Sequence, residues 1–90
     1  MPYIDAPSRK EYQAAIVALP DCANPGELNF MITQLFIWYL NCKGINYAHL
    51  NDCVGAANCA VAELTRKVIR PYEINKCNEN GDVYDALIGA

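Results

Sequence analysis

The chain has 90 residues, a formal net charge of -3 and a sequence pI of about 4.9, which excludes a protein that coats nucleic acid or anionic membrane by bulk attraction. Any anion it binds must be held by a local cluster. It is 53% hydrophobic and only 19% charged, and a single domain of this size buries only about 60% of its unfolded surface, so the surplus of apolar side chains points to surface shared between copies.

The start, MPYIDAPSRKEY, is acidic and polar where a signal peptide has its basic and apolar regions, so the expected compartment is the cytoplasm. Residues 1–8 form an arm, with Pro2 and Pro7 around Tyr3 and Ile4, whose Tyr and Ile are expected to dock on something apolar. Ser8 to Glu11 fits a capping box, in which a hydroxyl accepts from the third amide and the glutamate reaches back. A first helix is predicted over 9–19, with Tyr12, Ala15, Ile16 and Leu19 on one stripe; Pro20 stops it.

Asn24-Pro25-Gly26-Glu27 is the clearest helix start in the chain: Asn24 caps, Pro25 suits the first position, and Glu27 sits three residues after the cap. The second helix is predicted over 25–42, with Lys43 in its last turn and Gly44 closing it in a left-handed conformation. Its stretch Leu28 to Leu40, LNFMITQLFIWYL, is interrupted only by Asn29, Thr33 and Gln34. A helix apolar nearly all round must be covered on most sides, yet these 13 residues fall short of the ~20 that span a bilayer. This helix is therefore read as the core of a self-associating protein, with Asn29, Phe30, Thr33, Ile37 and Trp38 at the oligomer interface. Asn29 and Thr33, four apart, share a stripe and either set the register of that contact or line a pocket.

Asn46 or Asn51 caps a third helix, predicted over 47–70 and ended by Pro71. It would be roughly 36 Å long at ~1.5 Å per residue. Its middle, Gly55, Ala56, Ala57, Cys59, Ala60 and Ala62, is a run of small side chains against which the bulky face of the second helix should pack, antiparallel after the short connection. From Tyr72 the periodicity is lost, and 71–90 reads as a tail with a turn at Asn80-Gly81 and apolar positions Val83, Tyr84, Leu87 and Ile88. The fold class is thus all-α, a short N-terminal helix plus a long antiparallel helical hairpin, homo-oligomeric and in one domain over 1–90.

Four of the seven basic residues gather near the end of the third helix: Arg66, Lys67, Arg70 and Lys76. With Tyr72 they could clamp phosphates and stack a base. The alternative is helix-end charge that favours the dipole and is neutralised by Glu63 and Glu73. Five cysteines, Cys22, Cys42, Cys53, Cys59 and Cys77, are an odd number with no CxxC pair, so the sequence signals neither a disulfide framework nor a zinc ribbon. They are expected to be reduced thiols packed as small hydrophobes. His49 and Cys53, four apart, are two ligands where a structural zinc site needs four. No nucleophile elbow, phosphate loop or paired-carboxylate motif is present, so no enzyme, catalytic residue, cofactor or metal is expected.

The segments GELNF at 26–30 with Ile32-Thr33, Asn51-Asp52 with Gly55-Ala56, RKVIRPYE at 66–73, Lys76 and ENGDVY at 79–84 together resemble a family of small uncharacterised phage and prophage proteins. The resemblance implies a phage or prophage setting in a bacterial host and no chemistry. That family's pattern carries a Glu, a Lys and an aromatic residue where this chain has Asn58, Val61 and Thr65, so a polar site built there in relatives is altered here. The layout, a short helix before a long helical pair in an oligomer, is also similar to phage sponge proteins that sequester cyclic nucleotides. The expected function is an anti-defence binder that sequesters an anionic, cyclic nucleotide-type signal at a subunit boundary. The alternative is a protein–protein interaction or structural accessory protein with no small-molecule ligand.

Overall fold

A computed structural model describes residues 4–89 of the chain; Pro2 and Tyr3 of the arm lie outside the described residues. Every described element is helical: α1 (Ala6–Val17), α2 (Pro25–Lys43), α3 (Tyr47–Leu64), a π turn (Thr65–Ile69), α4 (Arg70–Asn80) and a short 3-10 turn (Val83–Ala86). The chain divides into two compact units, Met1–Ala56 and Ala57–Ala90. No described residue is fully buried, and no described helix is long and apolar enough to cross a membrane.

In the first unit, α1 begins three residues earlier than the periodicity predicts. Asp5, not Ser8, is the cap: its carboxylate accepts from the Ser8 N–H at 2.9 Å, and Pro7 sits in the first turn, where its missing donor costs nothing. Hydrogen bonding from Ser8 holds the Asp5 carboxyl below its ordinary range. The helix ends at Val17, because Leu19 precedes Pro20 and is pushed out of the helical region; the Leu19 N–H closes the last turn onto Ile16 O at 3.0 Å. Ile4 lines a shallow groove with Arg9, Tyr12, Gln13, Ile16 and Val17 and stays exposed, not docked as expected; the Arg9 Nε–H donates to Ile4 O at 2.8 Å.

The start of α2 is as the sequence predicts. The Glu27 N–H donates to Asn24 Oδ1 at 2.9 Å, and Glu27 Oε2 accepts in return from the Ala23 N–H at 3.1 Å. Gly44 closes the helix at φ 93°, ψ 157°, extended in ψ where a left-handed closure was expected, and still at a positive φ that side-chain-bearing residues rarely adopt.

The next turn is a corner built from polar contacts. Asn46 Oδ1 caps α3, accepting from the His49 N–H at 2.8 Å. His49 Nδ1 lies 2.9 Å from Gly44 O, and its ring meets Tyr39 edge-on at 6.4 Å between centroids. The Tyr39 hydroxyl donates to Asp52 at 2.8 Å. Beyond this corner the expected packing of α2 on small residues does not form within the unit. Phe30, Ile37 and Trp38 remain 61%, 45% and 55% exposed, and Gly55 faces open space. The residues supply the reason: large apolar side chains stand on all sides of α2, and one neighbouring helix can cover only a stripe of them.

In the second unit, Pro71 does not end the helix. Helical backbone runs on to Asn80, so residues predicted as tail are α4. A proline ring inside a helix clashes with the carbonyl four residues back and leaves it without a donor. Here the preceding turn is widened: the Arg70 N–H bonds to Thr65 O, five residues back, which makes room for the ring. Thr65 Oγ1 also bonds to Val61 O at 2.8 Å, a back-bond that favours bending. Gly81, at φ 82°, ends α4, and Asp82 caps the 3-10 turn through the Tyr84 N–H at 2.9 Å, so the turn signal at Asn80-Gly81 holds.

Replacing the cap, Asn24→Ala, should destabilise the fold by about 1 kcal/mol, measured by thermal unfolding at fixed protein concentration. The Asp52 bond, then desolvation and the Asp52 charge, push the Tyr39 phenol above its ordinary 10.0. The neutral phenol makes that bond, so its contribution is complete below pH 10.0 and is lost as pH rises through the raised value. Wild type should therefore lose more stability than Tyr39→Phe as pH rises above 10.0; parallel loss in the two proteins would contradict the corner as described.

Candidate anion-binding site

All five residues predicted to hold an anion lie in the second unit. Arg66 and Lys67 fall in the π turn, Arg70 opens α4, and Tyr72 and Lys76 follow one turn apart. The turn exists because Pro71 demands space ahead of it, so the same proline that spoils a regular helix sets the positions of the three cations before it.

The cations are not equivalent. Glu63 is paired with Arg66 at i+3 and lies 3.8 Å from Lys67 at i+4. Its side chain is only 17% exposed, while both partners are mostly in solvent. Lys76 lies 3.4 Å from Glu79 and 5.6 Å from the centre of the Tyr72 ring. Neutralisation by Glu63 is as the sequence suggests; for Lys76 the partner is Glu79, not Glu73. Arg70 makes no ion pair or hydrogen bond among the described residues. Glu79 went unnoticed in the sequence, though its i, i+3 spacing from Lys76 is the signal that finds it.

Among the described residues the cluster therefore has one guanidinium with no ion pair, and elsewhere on the same helix an aromatic ring that is 61% exposed and carries an ammonium at its face. A guanidinium offers a fork of donors to a phosphate, and an open ring face accepts a stacked base. No described contact joins Arg66 and Lys67 to Tyr72 and Lys76. The half-buried thiol of Cys77 is raised by desolvation, with Asp82, Glu73 and Asp85 adding to the effect.

The predicted interface residues all lie on α2, in the first unit. Thr33 Oγ1 donates to Asn29 O at 3.0 Å and lies 3.4 Å from Asn29 Oδ1, so the two polar residues do share one stripe. His49 and Cys53 serve the corner, with His49 Nδ1 engaged by Gly44; among the described residues no three His, Cys, Asp or Glu side chains gather as a metal site would need. Cys22, Cys42 and Cys59 are exposed and not packed as expected, and Cys53 and Cys77 are half-buried.

Compared with known families, residues 1–83 match the family described as a domain of unknown function, DUF6899. The chain belongs to this family. Comparison with curated proteins and with solved structures returned no match. Membership fixes kinship over nearly the whole chain and carries no activity with it, so the chemistry has to be argued from the side chains of this DUF6899 protein.

Because Arg66 and Lys67 are mostly in solvent where they meet Glu63, Glu63→Gln should cost less than about 1 kcal/mol in thermal unfolding at fixed protein concentration. A loss of several kcal/mol would instead mean that Glu63 is desolvated in the folded protein in solution.

Proposed function

We propose that this DUF6899 protein is a non-enzymatic, homo-oligomeric phage or prophage protein that sequesters an anionic, cyclic nucleotide-type signal used in bacterial defence. The observation that carries the reading is Arg70, which makes no ion pair or hydrogen bond among the described residues, on the same helix as the exposed ring of Tyr72. The first recognises a phosphate and the second a base. Lys76 adds a second cation at the ring, and Arg66 and Lys67 supply more positive charge once a ligand competes with Glu63. In a single copy this cluster is open to water, which weakens every charge interaction. A helical hairpin closed by another copy would exclude that water and place the ligand at a boundary between subunits. The phage setting comes from the sequence resemblance, and a soluble cytoplasmic protein in the bacterial host is the compartment such a role requires.

A second reading has its own support. Glu63 already occupies Arg66 and Lys67, which is how a purely structural helix surface is built, and a protein–protein interaction or structural accessory role needs no more. Calorimetry of the folded protein against a panel of cyclic di- and trinucleotides separates the two. Saturable heat with at least one member, weakened about tenfold or more by Arg70→Ala and by Tyr72→Ala, is expected, since tenfold is about 1.4 kcal/mol, within reach of one charge-assisted contact. Absence of heat with every member favours the accessory role.

A further inference from the structure

The turn that ends α4, Asn80-Gly81, is the one place in the chain where glycine follows asparagine. That pair is chemically labile, because the Gly81 nitrogen can attack Asn80 Cγ and glycine has no Cβ to hinder the approach. The surroundings do not hinder it either: a Cβ built on Gly81 would meet nothing within 4 Å. The Asn80 side chain makes no hydrogen bond among the described residues, so its carbonyl carbon is free to react.

The other asparagines are guarded. Those inside α2, α3 and α4 precede residues with side chains, in helical backbone. Asn24 precedes Pro25, which has no N–H to lose, and its Oδ1 accepts from the Glu27 N–H. Asn46 Oδ1 is likewise held by the His49 N–H. Only one contact restrains Asn80-Gly81: the Gly81 N–H donates to Cys77 O at 2.8 Å, and while it does so the nitrogen cannot attack. This is the last backbone bond of α4, and such ends open at little free-energy cost.

We propose that Asn80 is a site of spontaneous covalent modification in the folded protein, gated by opening of the Gly81–Cys77 bond. Once that bond opens, the Gly81 nitrogen gives up its proton and bonds to Asn80 Cγ. The Cγ–Nδ2 bond breaks, and the nitrogen leaves with a proton as ammonia, closing a cyclic succinimide. Water then opens the ring at either carbonyl, giving aspartate or isoaspartate. Aspartate at this position would stand beside Glu79 at the end of α4 where the helix dipole disfavours a negative charge. It would also lie four residues after Lys76, placed to compete with Glu79 for that ammonium. The modification does not depend on any ligand, so the proposed function stands or falls separately.

The test is peptide mapping by mass spectrometry on the full wild-type chain held at mildly alkaline pH, folded in one sample and in denaturant in another. Conversion of amide to acid is expected at Asn80 ahead of every other asparagine, with both aspartate and isoaspartate formed. Its rate in the folded chain should be within about tenfold of that in denaturant, since tenfold corresponds to about 1.4 kcal/mol of opening and a fraying end costs no more than this. In denaturant, where the φ of residue 81 no longer matters, Gly81→Ala should slow the conversion severalfold. A folded chain that stays intact while the denatured chain converts overturns the inference, because the last turn of α4 is then held shut. Aspartate without isoaspartate, or an unchanged rate in the variant, overturns the route through the Gly81 nitrogen.

Discussion

The constraint on which this structure depends is the exclusion of water from apolar side chains. Stability of a small domain is a narrow surplus of burial over the entropy of ordering the chain, and here the burial side is short. Nothing in α1, α2 or the first part of α3 is long or bulky enough to wrap Leu28 to Leu40 on every side. The side chains that do gain cover, such as Phe36, Tyr39 and Leu40, gather toward the C-terminal half of α2. The helices are individually well made, but an isolated helix of 11 to 19 residues is marginal in water without tertiary packing.

What holds the described chain in shape is accordingly local and polar. Asp5, Asn24, Asn46 and Asp82 each satisfy an amide at the start of a helical segment, and Gly44 and Gly81 release the chain at the ends of α2 and α4. The Tyr39–Asp52 bond with the His49 ring is the exception, joining residues 13 apart in sequence. These contacts fix where elements begin and which way the chain turns. They do not supply a core. In the second unit the same economy gives the cation cluster its character: Glu63 restrains two cations within one turn, and Arg70 makes no ion pair among the described residues.

Much of this was legible in the residues. The cap at Asn24, the stop before Pro20, the start at Tyr47 and the turn at Gly81 follow from side chains whose chemistry acts over three or four positions. Two features were not. The start of α1 was misplaced because Asp5 and Ser8 are both good caps, and only Pro7, tolerated in a first turn, decides between them. The persistence of the helix past Pro71 depends on one hydrogen bond, from Arg70 to Thr65, reaching five residues back; no periodicity announces a single widened turn. Of the candidate site, the residue types and their neighbourhood were readable, and the inequality among the cations was not. It rests on which carboxylate each one reaches, and Glu79 lies beyond the point where the helix was expected to stop.

The π turn amounts to one residue inserted into a regular spiral. Since each residue advances an α-helix by about 100°, every side chain after Ile69 is turned by roughly that much from where an unbroken count would put it. The angular position of Tyr72 and Lys76 is thereby decoupled from the stripe that precedes it. A shortened relative lacking one residue between 65 and 69 would aim those two groups about a quarter-turn away, and family members that keep similar residues could present them to different neighbours.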